Sequence, residues 1–80
     1  MYYVYLLRSI AQSKQTYVGF TEDLKTRFRD HNQGKSYHTA KFKPWRLVAY
    51  LGFDERARAV AFEKYLKSHS GKAFANKRLF

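Results

Sequence analysis

The spacing of apolar and polar positions along the chain predicts three strands. Residues 2–7, Tyr-Tyr-Val-Tyr-Leu-Leu, are apolar at every position, which indicates a central strand covered on both faces. A polar turn over residues 9–15 leads into residues 16–20, Thr-Tyr-Val-Gly-Phe, and together the two runs predict a β-hairpin. Gly19 inside the second strand indicates a close approach by another group. The run from Trp45 to Leu51 predicts the third strand.

A first helix is predicted after the hairpin. Thr21 supplies an N-cap hydroxyl and is followed by two acidic residues, a combination typical of a helix start. The helix is expected to run to about Asn32, because helices commonly stop just before a glycine. A polar, basic loop over residues 33–43 is expected to follow and to end at Pro44.

Two more helices are predicted after the third strand. Asp54 is expected to cap a helix that runs to about Ser68. Gly71 is expected to break it, and residues 72–79 to form a short terminal helix. The order β-β-α-β-α-α predicts an α+β fold with a three-stranded sheet flanked by helices. A chain of 80 residues has the length of a single domain, residues 1–80.

One face of the first helix carries two candidate functional groups. At 100° per residue, Leu24 and Phe28 define the buried stripe, His31 falls between them in angle, and Arg27 lies on one shoulder. Arg27 and His31 are i,i+4 neighbours, so they can act together on one ligand. The alternative is structural: an arginine stem that packs along the edge of the core and a half-buried, hydrogen-bonded histidine.

The second long helix carries an acidic residue on its apolar face. Ala59, Phe62 and Leu66 form the buried stripe, and Glu63 lies among them. An unpaired buried carboxylate is costly, so Glu63 needs a cation. One interpretation is an ion pair with one of the 16 basic residues. The other is a ligand for a hard divalent cation, which takes one or two carboxylates together with waters and substrate phosphate.

The strand tyrosines allow two interpretations in the same way. Tyr5 and Tyr17 lie on the paired strands, where aromatic side chains are usually part of the core. A phenol with an ordinary pKa near 10 acts as a base only with help. A metal ion or a cluster of basic groups would supply that help by favouring the phenolate.

The charge of the chain indicates a polyanionic partner. Lys and Arg number 16 against 6 Asp and Glu, a formal net charge of +10, so nucleic acid is the expected partner and an anionic membrane surface the weaker alternative. Without cysteine, disulfides, thiolate zinc sites and cysteine nucleophiles are excluded. No secretory signal is recognised, and a cytoplasmic protein is expected, nucleoid-associated in a bacterium. The candidate phosphate contacts after the first helix are Lys35, Lys41, Lys43 and Arg46.

Together these residues resemble the GIY-YIG nuclease superfamily. The similarity rests on Tyr3-Val4-Tyr5, Tyr17-Val18-Gly19, the helix from Leu24 to His31, and Glu63 on a later helix. In length and layout the chain is similar to small stand-alone members related to the N-terminal domain of the C component of excinuclease ABC. The resemblance implies three antiparallel strands with flanking helices.

The resemblance also implies divalent-metal-dependent hydrolysis of a DNA phosphodiester, linked to repair or recombination. Glu63 would hold one Mg²⁺ or Mn²⁺ ion, and Tyr5 would act as general base on the attacking water. Asn76 is similar to a late Asn of some members and joins the candidate nucleic-acid contacts. DNA, duplex or branched, is the implied partner, with no membrane, no small-molecule cofactor, and a protein partner for targeting left open. The residues that match the family's catalytic positions are Tyr5, Tyr17, Arg27, His31 and Glu63.

Two positions depart from the family pattern and leave alternatives open. Tyr3 stands where the family name has Gly, and Phe20 follows Gly19 where a small polar residue is usual. The ring of Phe20 is expected to narrow the access of a phosphate. Both departures favour a non-catalytic, basic nucleic-acid-binding module on the same fold. Composition alone would favour a further alternative, a small RNA- or ribosome-associated protein.

Overall fold

The computed structural model describes all 80 residues and confirms the predicted fold class. The predicted order of strands and long helices is also confirmed, and one short helix is added inside the stretch predicted as a basic loop. None of the helices is long and apolar enough to cross a membrane. The elements are β1 (Tyr2–Ser9), β2 (Thr16–Thr21), α1 (Leu24–Asn32), α2 (Tyr37–Ala40), β3 (Trp45–Phe53), α3 (Arg56–Lys67) and α4 (His69–Arg78).

The sheet has the strand order β2-β1-β3, and both pairings are antiparallel. The strand that contains the apolar run 2–7 is therefore the central strand, as predicted. Tyr5 lies opposite Gly19 on β2 and opposite Tyr50 on β3. The β1–β3 register shifts between Leu6 and Leu7, the kind of irregularity that re-aims side chains near a site.

Side chains of β1 alternate between two separate cores. Val4 and Leu6 are fully buried against α3 and α4. Tyr5 and Leu7 point to the other face, where they pack with Trp45 at the start of β3. Because successive strand residues point to opposite faces, an all-apolar β1 requires both layers. Each fully buried aliphatic side chain contributes about 1.5–3 kcal/mol.

The caps of the first two long helices differ from the prediction by one or two residues. α1 is capped by Asp23, whose carboxylate accepts the Thr26 N–H, and not by Thr21. The Thr21 hydroxyl instead accepts the Asp23 N–H at 3.0 Å and shapes the turn before the helix. α3 is capped by Glu55 and not by Asp54.

The prediction that Gly71 breaks a helix is wrong. Ser68 ends α3 and caps α4, with its hydroxyl accepting the Gly71 N–H at 3.1 Å. Gly71 is buried inside α4, where any Cβ would overlap the backbone of Tyr65 and Leu66 at the end of α3. The glycine therefore permits close helix packing and does not terminate a helix.

Candidate active site

Two tyrosines and one histidine meet on the face of the sheet that α1 covers. The ring centroids of Tyr5 and Tyr17 lie 6.2 Å apart, those of Tyr5 and His31 5.7 Å, and those of Tyr17 and His31 4.9 Å. Tyr5 comes from β1, Tyr17 from β2 and His31 from the last turn of α1. Three of the five residues predicted as catalytic are thus in direct contact.

Gly19 makes room for Tyr5. The two residues are partners in the β1–β2 register, and a Cβ on Gly19 would overlap the Tyr5 ring. The close approach predicted from this glycine is confirmed. Tyr17 therefore supplies a phenol to the site, and Gly19, two residues later, leaves room for the phenol of Tyr5.

Both ring nitrogens of His31 are hydrogen-bonded, which links the tautomer of His31 to the orientation of the Thr39 hydroxyl. Its Nδ1 lies 2.6 Å from Oγ1 of Thr39, and its Nε2 lies 2.8 Å from the Tyr5 hydroxyl. When the Thr39 hydroxyl donates its proton to the Ser36 carbonyl at 3.3 Å, Nδ1–H donates to Thr39. Neutral His31 then presents Nε2 as an acceptor to Tyr5.

Thr39 is a functional residue that the sequence analysis did not find. It lies on α2, inside the stretch predicted as a loop, and is 1% exposed. Its carbonyl accepts the indole N–H of Trp45 at 2.9 Å, and Asn32 donates to the Trp45 carbonyl at 3.2 Å. These bonds fasten α1 and α2 to the start of β3, so that His31 and Thr39 keep their relative positions. A single threonine in a polar stretch carries no sequence signal for this role.

Burial keeps both partners of the Tyr5–His31 hydrogen bond uncharged at neutral pH. Desolvation, followed by the neighbouring Tyr17 phenol, raises the pKa of Tyr5 far above its ordinary value of 10.0. Desolvation and the positive charge of Arg27 lower the pKa of His31 below 6.5, against a smaller opposing effect of Asp30. The tyrosine is a phenol and the histidine a neutral acceptor until another charge enters the site.

Arg27 lies beside the rings with an exposed side chain. Exposure of the residue is compatible with a stem that packs along the core edge while the guanidinium reaches solvent. Its positive charge lowers the pKa of both Tyr5 and His31, which places the guanidinium within electrostatic reach of the pair. No ion pair engages that guanidinium, so it is available to an anionic ligand.

Glu63 is half-buried, with 21% of its side chain exposed, and pairs with Lys67 at 3.0 Å. The ion-pair interpretation of Glu63 is therefore realised. The pair is not remote from the rings, however, because the Lys67 ammonium lies 6.0 Å from the Tyr17 ring centroid. The negative charge of Glu63 also raises the pKa of Tyr5. Tyr5, Tyr17 and His31 are thus in ring contact, and the charges of Arg27 and Glu63 act on Tyr5; these five residues are called the cluster below.

The donor set around the cluster suits a lightly coordinated hard cation. No group of three or more His, Cys, Asp or Glu side chains that could hold a metal ion exists in the chain, and both nitrogens of His31 are engaged. Glu63 is the carboxylate that acts on Tyr5, whereas Asp30 acts on His31. A single carboxylate completed by waters and a substrate phosphate is a normal Mg²⁺ environment, and a structural zinc site is excluded.

The two departures from the family pattern lie outside the cluster. Phe20 stacks on Tyr2 and receives the Arg56 guanidinium on its ring, so it belongs to the α3 face of the sheet. The expectation that its ring narrows phosphate access is wrong, because Phe20 and Tyr17 point to opposite faces of β2. Tyr3 packs edge-on against Tyr50 at 6.0 Å.

The predicted nucleic-acid contacts fall into two places. The four basic residues are exposed around α2 and at the start of β3, with Lys35 4.0 Å from Asp30. Asn76 lies away from them, in a cleft of about 350 Å³ that Tyr17 and Lys67 also line. The basic residues are Lys35, Lys41, Lys43 and Arg46.

Comparison with known proteins identifies the family. A family model described as the GIY-YIG catalytic domain matches residues 1–78. The chain belongs to the GIY-YIG family. The GIY-YIG domain is 31% identical to the UPF0213 protein BH0048 from Bacillus halodurans, whose solution structure superposes with a TM-score of 0.57 and with coverage of 96% of this chain and 84% of that one. The predicted family and the predicted fold are confirmed.

Curated relatives are nuclease subunits of greater length. The GIY-YIG domain is 41% identical over 73 residues to the structure-specific endonuclease subunit SLX1 of Candida dubliniensis, covering 82% of this chain and 26% of the relative. It is 36% identical over 78 residues to the protein of the same name in Malassezia globosa, covering 90% and 17%. The chain therefore spans about a quarter or less of the length of these relatives.

Proposed function

We propose that this GIY-YIG domain is a divalent-metal-dependent endonuclease that hydrolyses DNA phosphodiester bonds at branched or interrupted duplexes, in DNA repair or recombination. The observation that carries the proposal is the cluster itself: Tyr5, Tyr17 and His31 in ring contact, with the charges of Arg27 and Glu63 acting on Tyr5. The relatives' printed names supply the structure-specific class of substrate.

The proton of the attacking water has a defined route. Tyr5 accepts it as general base after passing its own proton to Nε2 of His31, 2.8 Å away. His31 is ready for this step because its lowered pKa keeps it neutral and Thr39 occupies Nδ1. The imidazolium that forms is stabilised by its hydrogen bond to Thr39.

The remaining groups act on the phosphate. Arg27 presents an unpaired guanidinium, which can contact two phosphate oxygens and stabilise the charge that grows in the transition state. Tyr17 orients the phosphate from the edge strand. Glu63 would hold the ion, and a bound Mg²⁺ or Mn²⁺ would neutralise the phosphate and favour the Tyr5 phenolate. One ion suffices, because Arg27 contributes the second positive charge.

A non-catalytic nucleic-acid-binding module is the second candidate. The observation that favours it is the Glu63–Lys67 ion pair at 3.0 Å, because a carboxylate neutralised by an ammonium is not free to bind a metal ion. The two candidates differ in one property, since only the nuclease converts supercoiled plasmid to open circles when Mg²⁺ is added.

The proposal is tested by plasmid nicking with Glu63 variants. Glu63→Ala and Glu63→Gln should each lower Mg²⁺-dependent nicking by at least ~100-fold, as for loss of one preorganised charged group. Glu55→Ala is the matched control, because Glu55 also forms an ion pair on α3 but pairs with Arg58 in solvent. Glu55→Ala should nick normally. Full activity of folded Glu63→Ala, or a wild-type protein that nicks nothing, would contradict the proposal.

The names of the relatives also suggest a partner. The SLX1 relatives are called subunits of a structure-specific endonuclease. We therefore propose that a protein partner supplies targeting to particular DNA structures.

A further inference from the structure

A cleft beside the catalytic cluster has no part in the proposed chemistry. It lies between β2, the end of α3 and α4, and its volume of about 350 Å³ falls in the range of small-molecule sites, ~300–1,000 Å³. Five of its nine lining residues are hydrophobic. They are Tyr17, Val18, Leu66, Ala75 and Phe80.

The polar groups that line the cleft are positively charged amines and one carboxamide. Lys67 and Lys72 supply two ammonium groups, Asn76 supplies a carboxamide, and no acidic residue lines the cleft. An apolar floor with two aromatic rings suits a flat heterocycle. The Asn76 amide offers both a donor and an acceptor to a base edge, and the lysines suit a phosphate.

The cleft is continuous with the cluster through two residues. Tyr17 contacts His31 and Tyr5 and also lines the cleft. Lys67 is paired with Glu63 at 3.0 Å and lines the cleft as well. A DNA strand whose scissile phosphate lies at Glu63 and Tyr17 therefore brings the adjacent nucleotide to the mouth of the cleft.

We propose that this cleft binds one unpaired nucleotide of the DNA strand next to the scissile phosphate. The base lies on the apolar floor near Asn76, and the phosphate lies between Lys67 and Lys72. The inference rests on the proposed function for its ligand, a DNA strand, and names the feature by which substrates are selected. A base inside a duplex must be extruded first, whereas a base at a flap or nick is already free, so the cleft favours interrupted duplexes.

The test measures binding without cleavage, in a Glu63→Gln background. The probes are a nicked duplex with one unpaired 2-aminopurine nucleotide at the nick, on either the 5′ or the 3′ side, and the same nick without it. We expect at least ~5-fold tighter binding of one of the unpaired probes, and a change in 2-aminopurine emission on binding. Base stacking on aromatic side chains is strong enough to produce such a preference.

Substitutions in the lining of the cleft test whether the preference for the unpaired probe arises there. Thr16→Trp, an exposed rim residue of β2, should block the cleft, and Lys72→Ala should remove a phosphate contact. Each should reduce the preference, which is the ratio of the affinities for the unpaired probe and the plain nick, to under ~2-fold. Lys77→Ala is the control, because Lys77 is an exposed lysine of α4 outside the lining, and it should keep the full preference.

The outcomes separate this inference from the proposed nuclease activity. Equal binding of the paired and unpaired probes, or a preference that survives Thr16→Trp, would overturn the cleft as a nucleotide site. Stronger competition for the site by polyglutamate than by oligothymidylate of equal charge would also overturn it, in favour of an acidic peptide. A preference that is lost in both cleft variants supports the cleft even if the wild-type protein nicks no plasmid.

Discussion

A single buried histidine decides where the proton of Tyr5 can go. His31 is fully buried and bonded at both nitrogens, with Thr39 on one side and Tyr5 on the other. With the Thr39 proton donated to the Ser36 carbonyl, the acceptor nitrogen of the imidazole is the one that faces the phenol. Thr39 is thus a positioning residue that acts through His31.

Replacing Thr39 tests this arrangement. Thr39→Val keeps the shape of the side chain but removes the acceptor for Nδ1–H, so the His31 proton should move to Nε2. Nicking should then fall by about 10–100-fold, as for loss of a partner that orients a histidine. Thr39→Ser keeps the hydroxyl and should restore both properties. The ¹⁵N shifts of the His31 ring report the tautomer independently of activity. An unchanged tautomer in folded Thr39→Val would contradict the assignment.

The lowered pKa of His31 predicts a loss of stability in acid. Above pH 6.5 the histidine is neutral in both the folded and the unfolded chain, so its contribution to stability is complete. Below pH 6.5 the unfolded chain binds a proton that the folded protein does not, and the free energy of unfolding should fall by up to about 1.4 kcal/mol per pH unit until the folded pKa is reached. Urea unfolding at pH 7.5, 6.0 and 5.0 measures this loss.

A change at another histidine serves as the control for the acid effect of His31. His38→Gln, which changes an exposed residue of α2, should keep the same pH dependence. The lowered pKa of Asp23 takes effect below pH 3.8, outside this window. A flat stability between pH 7.5 and 5.0, or an NMR titration of His31 at or above pH 6.5, would contradict the expectation.

At the scale of elements, short segments between the longer elements position the residues of the site. Two such segments are α2 and the junction of α3 and α4. The four-residue helix α2 carries Thr39 to His31 and bonds to Trp45. Its sequence is polar and basic and lacks the periodicity of a helix, so only its contacts with α1 and β3 show why it is ordered. The α3–α4 junction is similar, because Ser68 ends one helix and starts the next.

Gly71→Ala tests the close crossing of α3 and α4. Helix propensity alone predicts that alanine stabilises α4 by about 1 kcal/mol. The overlap of its Cβ with the Tyr65 carbonyl should reverse the sign and lower the free energy of unfolding by about 1–3 kcal/mol. Ser70→Ala, at the exposed neighbouring position, should change stability by under ~0.5 kcal/mol. Urea unfolding of both variants measures the difference, and a stabilised Gly71→Ala would contradict the crossing.

At the scale of the whole molecule, the net charge of +10 governs association more than fold. The acidic residues are few, and three of them already pair with Lys35, Arg58 and Lys67. The other 13 of the 16 basic residues are spread over α1, α3 and α4, around α2 and at the start of β3, and over β1 and the turn that follows it. Such a surface is expected to bind DNA phosphates with little dependence on sequence and with strong dependence on salt.

The salt dependence of DNA binding measures how many phosphates are neutralised. The slope of log affinity against log salt is about −0.9 for each phosphate on duplex DNA. Replacing Lys35, Lys41 and Lys43 by alanine should reduce its magnitude by up to about 2.7, whereas the same triple change to arginine should preserve it. An alanine variant with the wild-type slope would show that these lysines do not contact DNA.

Local pattern in the chain was enough to establish several parts of the fold and site. The unbroken apolar run of β1 required a central strand with two covered faces, and Gly19 opposite Tyr5 marked a close approach. The i,i+4 spacing of Arg27 and His31 and the inward position of Glu63 followed from helix geometry. The excess of basic over acidic residues indicated a polyanionic partner.

What these residues do to one another depends on packing between elements. The tautomer of His31 depends on Thr39, eight residues away on a helix that the pattern did not predict. Glu63 has an i,i+4 lysine partner, and whether that pair lies near the tyrosines depends on how α3 packs against β2. A glycine such as Gly71 usually indicates the end of a helix, yet here it lies inside α4 and allows α3 and α4 to pack closely. Pattern follows from the neighbours of a residue in the chain, whereas proton position, charge pairing and close packing follow from its neighbours in space.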